Sequence, residues 1–209
     1  MTVATVILAD GEFPRAERLL RILRTAGRVV CCDGAAGSLL AFGREPDRVV
    51  GDMDSLSGAC RARLADRVVV DPEQETNDLA KAFRLCRRMG WTESVAILGA
   101  TGKREDHTLG NLSYLVEFSE ECPSIRILSE RMSFFCVRSG ESVAVRPGGQ
   151  VSLFSFDPAQ RITSEGLKWP LQDRSLPLWR SGTLNEATGG RFSLRFSGRT
   201  PILVGLLED

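Results

Sequence analysis

Up to about residue 138, short apolar runs alternate with amphipathic stretches. Residues 3–9 read as a strand, and residues 14–25 as a helix with Pro14 near its first turn. Residues 28–32 form the next strand, followed by a Gly/Ala-rich helix over 34–42. Two short β-branched strands, 47–50 and 67–70, flank a helical segment over 60–65. Residues 75–89 place Leu79, Ala82, Phe83, Leu85 and Cys86 on one side of a helix that Gly90 ends. A strand over 94–98, a helix over 106–118 and a strand over 124–128 complete the series. Strands alternating with helices predict a parallel sheet covered by helices on both faces.

Beyond residue 138 the helical period disappears. Stretches 141–146, 150–156, 191–196 and 202–206 read as strands. Turn residues Pro147-Gly148-Gly149, Asp157-Pro158 and Gly189-Gly190 punctuate them. The fold class expected is therefore an α/β domain over residues 1–138 followed by a small all-β sandwich, or a barrel-like variant of it, over 139–209. About 70 residues give a limited core, so the second domain is expected to pack on the first or on a second subunit.

Composition narrows the partners. Over 209 residues, 43% are hydrophobic and 26% charged, and 27 basic residues balance 27 acidic ones. That balance lacks the basic excess expected of a protein bound to nucleic acid or an anionic membrane. No apolar stretch reaches the roughly 20 residues of a membrane span, and no secretory signal is visible. The six cysteines form no C-x-x-C pair and His107 is the single histidine, which argues against structural zinc. Reduced cysteines in a cytoplasmic protein are the expectation.

In open parallel sheets, ligands bind on the loops beyond the carboxyl ends of the strands. Here those loops carry Asp33-Gly34, Gly51-Asp52-Met53-Asp54-Ser55, Asp71 with Thr76-Asn77-Asp78, and Gly102-Lys103-Arg104-Glu105-Asp106-His107. Two carboxylates ~5 Å apart repel by roughly 3 kcal/mol at an effective dielectric of about 20. Several together take up protons or hold hard divalent cations, and an all-oxygen donor set near phosphate favours Mg²⁺. Each piece also has a plain structural reading. Asp33-Gly34 suits a turn, Asp78 a helix N-terminus, Lys103 and Arg104 a solvated pair, and His107 a capping or core role. Gly102-Lys103 lacks the other residues of a P-loop.

The ordered set resembles the thiamine pyrophosphokinase (thiamine diphosphokinase) family over nearly the whole chain. It includes Lys81, Asn111, Gly166-Leu167-Lys168-Trp169-Pro170-Leu171 and Gly182-Thr183-Leu184-Asn185-Glu186. The resemblance implies ATP as donor, thiamine as acceptor, AMP as second product, Mg²⁺, and a homodimer with sites at the subunit interface. By motif position it implies that Asp52, Asp54, Asp78 and Asp106 hold Mg²⁺ and position phosphates, with Arg104 on the polyphosphate. Asp33, Gly34, Asn77, Lys81, Lys103, His107 and Asn111 fall on the nucleotide side, and Trp169 and Asn185 on the thiamine pocket. Ala35 stands where many relatives have glycine, and Leu184 where many have serine. Two rival expectations are another Mg²⁺-dependent nucleotide transferase or hydrolase, and a non-catalytic thiamine- or nucleotide-binding module.

Overall fold

The computed structural model describes residues 3–208, which divide into two compact units, 1–130 and 131–209. In the first unit the chain runs β1 (Thr5–Leu8), α1 (Glu17–Thr25), β2 (Arg28–Cys32), α2 (Ala35–Phe42), β3 (Arg48–Gly51) and α3 (Gly58–Arg63). It continues through β4 (Val68–Val70), α4 (Asp78–Arg88), β5 (Val95–Leu98), α5 (Glu105–Glu121) and β6 (Arg126–Leu128). The strands pair in the order β6-β5-β1-β2-β3-β4, every pair parallel. Val6 lies beside Val29 on one side and Ala96 on the other. β1 and β5 are buried along their whole length, as a strand covered on both faces must be.

Helix ends follow from local chemistry. Asn77, in extended conformation, caps α4 by accepting the Ala80 N–H at 3.0 Å. The helix expected from residue 75 therefore begins at Asp78. Ser57 caps α3 in the same way through the Cys60 N–H. Leu19 and Leu23 bury the apolar stripe of α1.

Strand order reverses at β1, because β2, β3 and β4 extend to one side of it and β5 and β6 to the other. The loops leaving β1 and β5 meet at this switch point, where the Gly11 N–H donates to the Gly99 carbonyl at 2.6 Å. A Cβ on Gly11 would lie 2.1 Å from that oxygen, and one on Gly99 2.5 Å from the Ala9 carbonyl. Only glycine permits this approach, and the crevice beside it opens on the carboxyl edge of the sheet.

The second unit comprises β7 (Met132–Val137), β8 (Ser142–Ala144), β9 (Gln150–Phe154), β10 (Arg161–Glu165), β11 (Arg174–Ser175), β12 (Asn185–Glu186), β13 (Arg191–Phe196) and β14 (Ile202–Leu207). Its strands pair antiparallel as β12-β9-β14-β7 and β11-β10-β13-β8. Phe135, Val137, Val151, Leu153 and Val204 from the first sheet and Ile162, Phe192 and Leu194 from the second share one core. That packing makes the unit a β-sandwich. β7, which the sequence pattern leaves in the first domain, pairs along its whole length with β14.

Among the described residues no cysteine is in a disulfide, and no helix is long and apolar enough to cross a membrane.

Candidate functional site

Four loops of the first unit converge on the carboxyl edge of its sheet. After β2, Asp33 takes a left-handed backbone (φ 36°) and is nearly buried. Its Oδ2 accepts the Ser55 N–H at 2.9 Å, while its buried Oδ1 has no partner. Burial, reinforced by Asp52, Asp10 and Asp54, pushes the Asp33 carboxyl up, against the opposing Ser55 N–H. After β3, Asp52 accepts the Asp54 N–H at 3.2 Å and the Gln74 Nε2–H at 3.3 Å. These bonds, the Asp54 N–H first, hold Asp52 below the usual carboxylate range. Met53 between them is left-handed (φ 72°). Gly51 keeps the edge open, since a Cβ there would meet Asp33 Cβ at 3.0 Å and the Asp78 carboxyl at 3.3 Å.

Asp78 opens α4 beside this group. Burial pushes its carboxyl up, Lys81 opposes that, and Asp52 and Asp33 add to it. Lys81, one turn on, is buried to 2% exposure with its Nζ 3.4 Å from Asp78 Oδ1. A buried ammonium at that distance is an internal counter-ion to the acids rather than a solvent-exposed phosphate contact. The Asn77 side-chain amide donates to Asn111 Oδ1 at 2.9 Å, and Asn111 donates to the Ala100 carbonyl at 2.8 Å. Asn77 and Asn111 thus tie the starts of α4 and α5 to the loop after β5.

The same loop supplies the exposed cations. Lys103 Nζ lies 3.1 Å from Asp10 Oδ1. Arg104 forks onto Asp106, Nε to Oδ1 at 3.1 Å and Nη2 to Oδ2 at 2.5 Å, and holds that carboxyl down at about 2. Asp33, Asp52, Asp54 and Asp78 are therefore within electrostatic reach of one another, whereas Asp106 is engaged by its own neighbour. His107, Asn77, Asp78 and Asn111 line a cleft of about 230 Å³ together with Ala9, Asp10, Cys32, Ser55 and Leu79. Gly34 starts the helix side of this edge, 3.0 Å from Asp10 Oδ2 at its would-be Cβ. Asp10, absent from the sequence expectations, is the fifth acid of the site. It is a single acid two residues past β1, and the strand-end rule that selects Asp33 and Asp52 selects it too.

The donor chemistry suits a hard divalent cation: two carboxyls raised by burial and, to a smaller extent, by neighbouring acids, and one buried oxygen without a partner. Among the described residues, however, no three His, Cys, Asp or Glu side chains converge on one ion position. An ion here would take the rest of its shell from water and phosphate oxygens, as Mg²⁺ commonly does.

The second unit carries a separate pocket of about 170 Å³ lined by Leu153, Trp169, Pro170, Leu171, Arg174, residues 181–183, Leu184 and Asn185. Trp169 is 55% exposed and so is no core anchor of the sandwich. Asn185 holds it by its backbone: Nδ2 donates to the Trp169 carbonyl at 2.8 Å and Oδ1 accepts the Trp169 N–H at 3.2 Å. Oδ1 also accepts the Glu186 N–H at 2.9 Å. Asn185 thus shapes the pocket chiefly through Trp169. Leu184 projects at 76% exposure from a left-handed backbone (φ 62°).

A parallel α/β unit with acids at its switch-point edge, joined to a β-sandwich with an aromatic-lined pocket, defines a two-domain enzyme of the phosphoryl-transfer type. The family described as the catalytic domain of thiamin pyrophosphokinase matches residues 19–127, and that described as its substrate-binding domain matches residues 133–203. The chain is 32% identical over 203 residues to thiamine pyrophosphokinase 1 of Oryza sativa subsp. japonica, covering 82% of this chain and 75% of that one. It is 27% identical over 184 residues to thiamin pyrophosphokinase 1 of Caenorhabditis elegans, covering 80% and 74%. Thiamin pyrophosphokinase from Candida albicans shares the fold with a TM-score of 0.80 at 17% identity, over 98% of this chain and 90% of that one. The Bacillus subtilis structure shares it at 0.74 and 23%, over 98% of each chain. The chain belongs to the thiamine pyrophosphokinase family.

Proposed function

We propose that the chain transfers the pyrophosphoryl group of ATP to the primary hydroxyl of thiamine, giving thiamine diphosphate and AMP. The observation that carries this reading is the gathering of Asp33, Asp52, Asp54 and Asp78 with Asp10 and the buried Lys81 at one sheet edge. Such a group is poorly stable alone and well suited to a polyphosphate accompanied by Mg²⁺. Bound Mg²⁺ supplies charge neutralisation on the phosphate oxygens, and Asp52, Asp54 and Asp78 are the residues that would hold it. Asp106 would add a carboxylate to that set were Arg104 drawn off it by phosphate.

The thiamine hydroxyl attacks the β-phosphorus in line, and the bond from that phosphorus to the oxygen bridging to the α-phosphate breaks. AMP leaves with that oxygen, and the hydroxyl proton passes late in the step to a carboxylate of the acidic edge or to water. Loose phosphoryl-type transition states depend on positioning and charge neutralisation more than on a strong base. Arg104 and Lys103 offset charge developing on the transferred group and on AMP. Asn77, Asn111 and His107 line the nucleotide cleft, Asp33 and Gly34 stand at the adjoining sheet edge, and Lys81 balances the acids from inside. On the second unit, Trp169 offers a ring face to the cationic thiazolium or the flat aminopyrimidine, in a loop that Asn185 holds.

The first unit is thus read as the ATP- and Mg²⁺-binding catalytic domain, and the second as the thiamine-binding and dimerisation domain. A homodimer agrees with the exposed Trp169, Leu178, Trp179 and Leu184 of the second unit. A cytoplasmic setting agrees with cysteines that form no disulfide among the described residues. The deciding experiment is AMP formation with ATP, thiamine and Mg²⁺, each omitted in turn. AMP that requires all three supports the transfer. AMP without thiamine makes the chain a nucleotide hydrolase, and no AMP makes it a binding module.

A further inference from the structure

We propose that Glu73 is a positioning residue for the acidic edge: it locks the loop between β4 and α4 so that Asp78, which lines the cleft, and Asp52 beside it keep their places. The inference rests on the reading of that edge as the ATP site. The loop over residues 71–77 has no sheet or helix ladder of its own, and among the expected site residues only Asn77 ties it down, at its far end.

Glu73 supplies what the backbone lacks. Its Oε1 accepts the Thr76 N–H at 2.8 Å, and its Oε2 accepts the Thr76 hydroxyl at 2.6 Å and Arg84 Nη2–H at 2.9 Å. Arg84 also donates to Thr76 Oγ1 at 3.0 Å and lies 3.7 Å from Asp71. Arg84 is on α4 itself, so one carboxylate clamps the loop to the helix whose first residue is Asp78. The hydroxyl of Thr76, the Arg84 guanidinium and the Thr76 N–H hold the Glu73 carboxyl down at about 2, so it is ionised at neutral pH.

Both ends of the clamped segment lead to the acids. Gln74, next to Glu73, donates to Asp52 Oδ2 at 3.3 Å. Asn77, next to Thr76, caps α4 and orients its first turn. Loss of the clamp frees Gln74 from Asp52 and loosens the cap that precedes Asp78. Misplacement of such groups by ~1 Å costs about a hundredfold in rate.

The test is a double-mutant cycle on Glu73→Ala and Arg84→Ala, with Thr76→Val and Thr76→Ser beside it. Each alanine variant is expected to lower kcat by about 10- to 100-fold and to weaken MgATP in calorimetry, with the KM for thiamine little changed. The double variant should be no worse than the poorer single one. Thr76→Ser, which keeps both links, should recover what Thr76→Val loses, and the amides of Thr76 and Ala80 should exchange faster in every clamp-deficient variant. A merely structural role would lower stability without the split between MgATP and thiamine. Additive losses, unchanged MgATP affinity, or full kcat despite faster exchange each overturn the proposal. If the wild-type protein makes no AMP, the functional reading falls separately, and MgATP calorimetry on the same variants still decides the positioning.

Discussion

Replacing Trp169 by alanine separates substrate recognition from stability, because the structure sets the two costs apart. A tryptophan buries roughly 150–250 Å² when fully covered, and Trp169 is 55% exposed. About 100 Å² is therefore lost from cover, worth about 2.5 kcal/mol at ~25 cal/mol per Å² and nearer 1.5–2 kcal/mol against a partly compact unfolded chain. The Lys168 ammonium, 5.0 Å from the ring centroid, adds little because it is itself half exposed. For a chain of this size the melting temperature should fall by about 3–8 °C, less than the ~3–5 kcal/mol of a core aromatic would produce. Thiamine affinity should fall by about ten- to a hundredfold, equivalent to ~1.4–2.8 kcal/mol of lost cation–π and stacking contact, while MgATP affinity is unchanged. If the Trp169 ring takes the thiazolium, Lys168 competes for the same face, so Lys168→Met should leave affinity unchanged or improve it. Calorimetry with thiamine and with MgATP, beside a melt of each variant, provides the readout. Unchanged thiamine affinity with lost stability, or an equal loss of MgATP affinity, would refute the reasoning.

Much of the first unit is legible because its strands are short, apolar and β-branched: VVCC in β2, RVVG in β3, VAIL in β5. The acids that follow them are legible for the same reason, since one rule about strand ends collects Asp33, Asp52 and Asp78. What escapes the pattern is contributed by polar groups with tertiary partners. In β10, RITSE presents one apolar residue, and the inward Ser164 is accommodated because its Oγ accepts the Leu171 N–H at 2.8 Å. β11 and β12 have two residues each, too few for any period. β7 is apolar on both faces, so its sequence matches a buried parallel strand as well as the sandwich strand it forms. Charge partners are equally hidden. Spacing cannot reveal that Arg104 closes on Asp106 or that Lys81 turns inward to Asp78, and nothing in PEQET announces a clamp.

Asp52→Asn or Asp54→Asn should reduce turnover by at least about 100-fold, as loss of a preorganised electrostatic partner does, while the fold is kept; near-normal activity in both would remove them from ion binding. His107→Asn should lower kcat by less than the ~100-fold that loss of a general acid or base costs, because His107 lines the cleft from the first turn of α5; full loss with normal folding would make it essential. Asp33→Asn addresses the acids from the side of stability. Asparagine tolerates the left-handed backbone at this position and can still accept the Ser55 N–H. Burial first, then Asp52, Asp10 and Asp54, raises the Asp33 carboxyl, so the folded state holds this proton more tightly than the unfolded chain. A raised value contributes stability below the unfolded pKa of about 3.9 and loses it as pH rises through the folded value. At neutral pH without divalent cations the ionised Asp33 opposes folding, and its neutral replacement relieves that strain. The variant should therefore melt above the wild type at pH 7, with the difference vanishing below about pH 4. Added Mg²⁺ should raise the wild-type melt more than that of Asp33→Asn, because the variant has one fewer buried carboxylate for the cation to neutralise. A variant that melts no higher than the wild type at neutral pH would show that this edge stores no electrostatic strain, and the argument for a cation there would lose its physical basis.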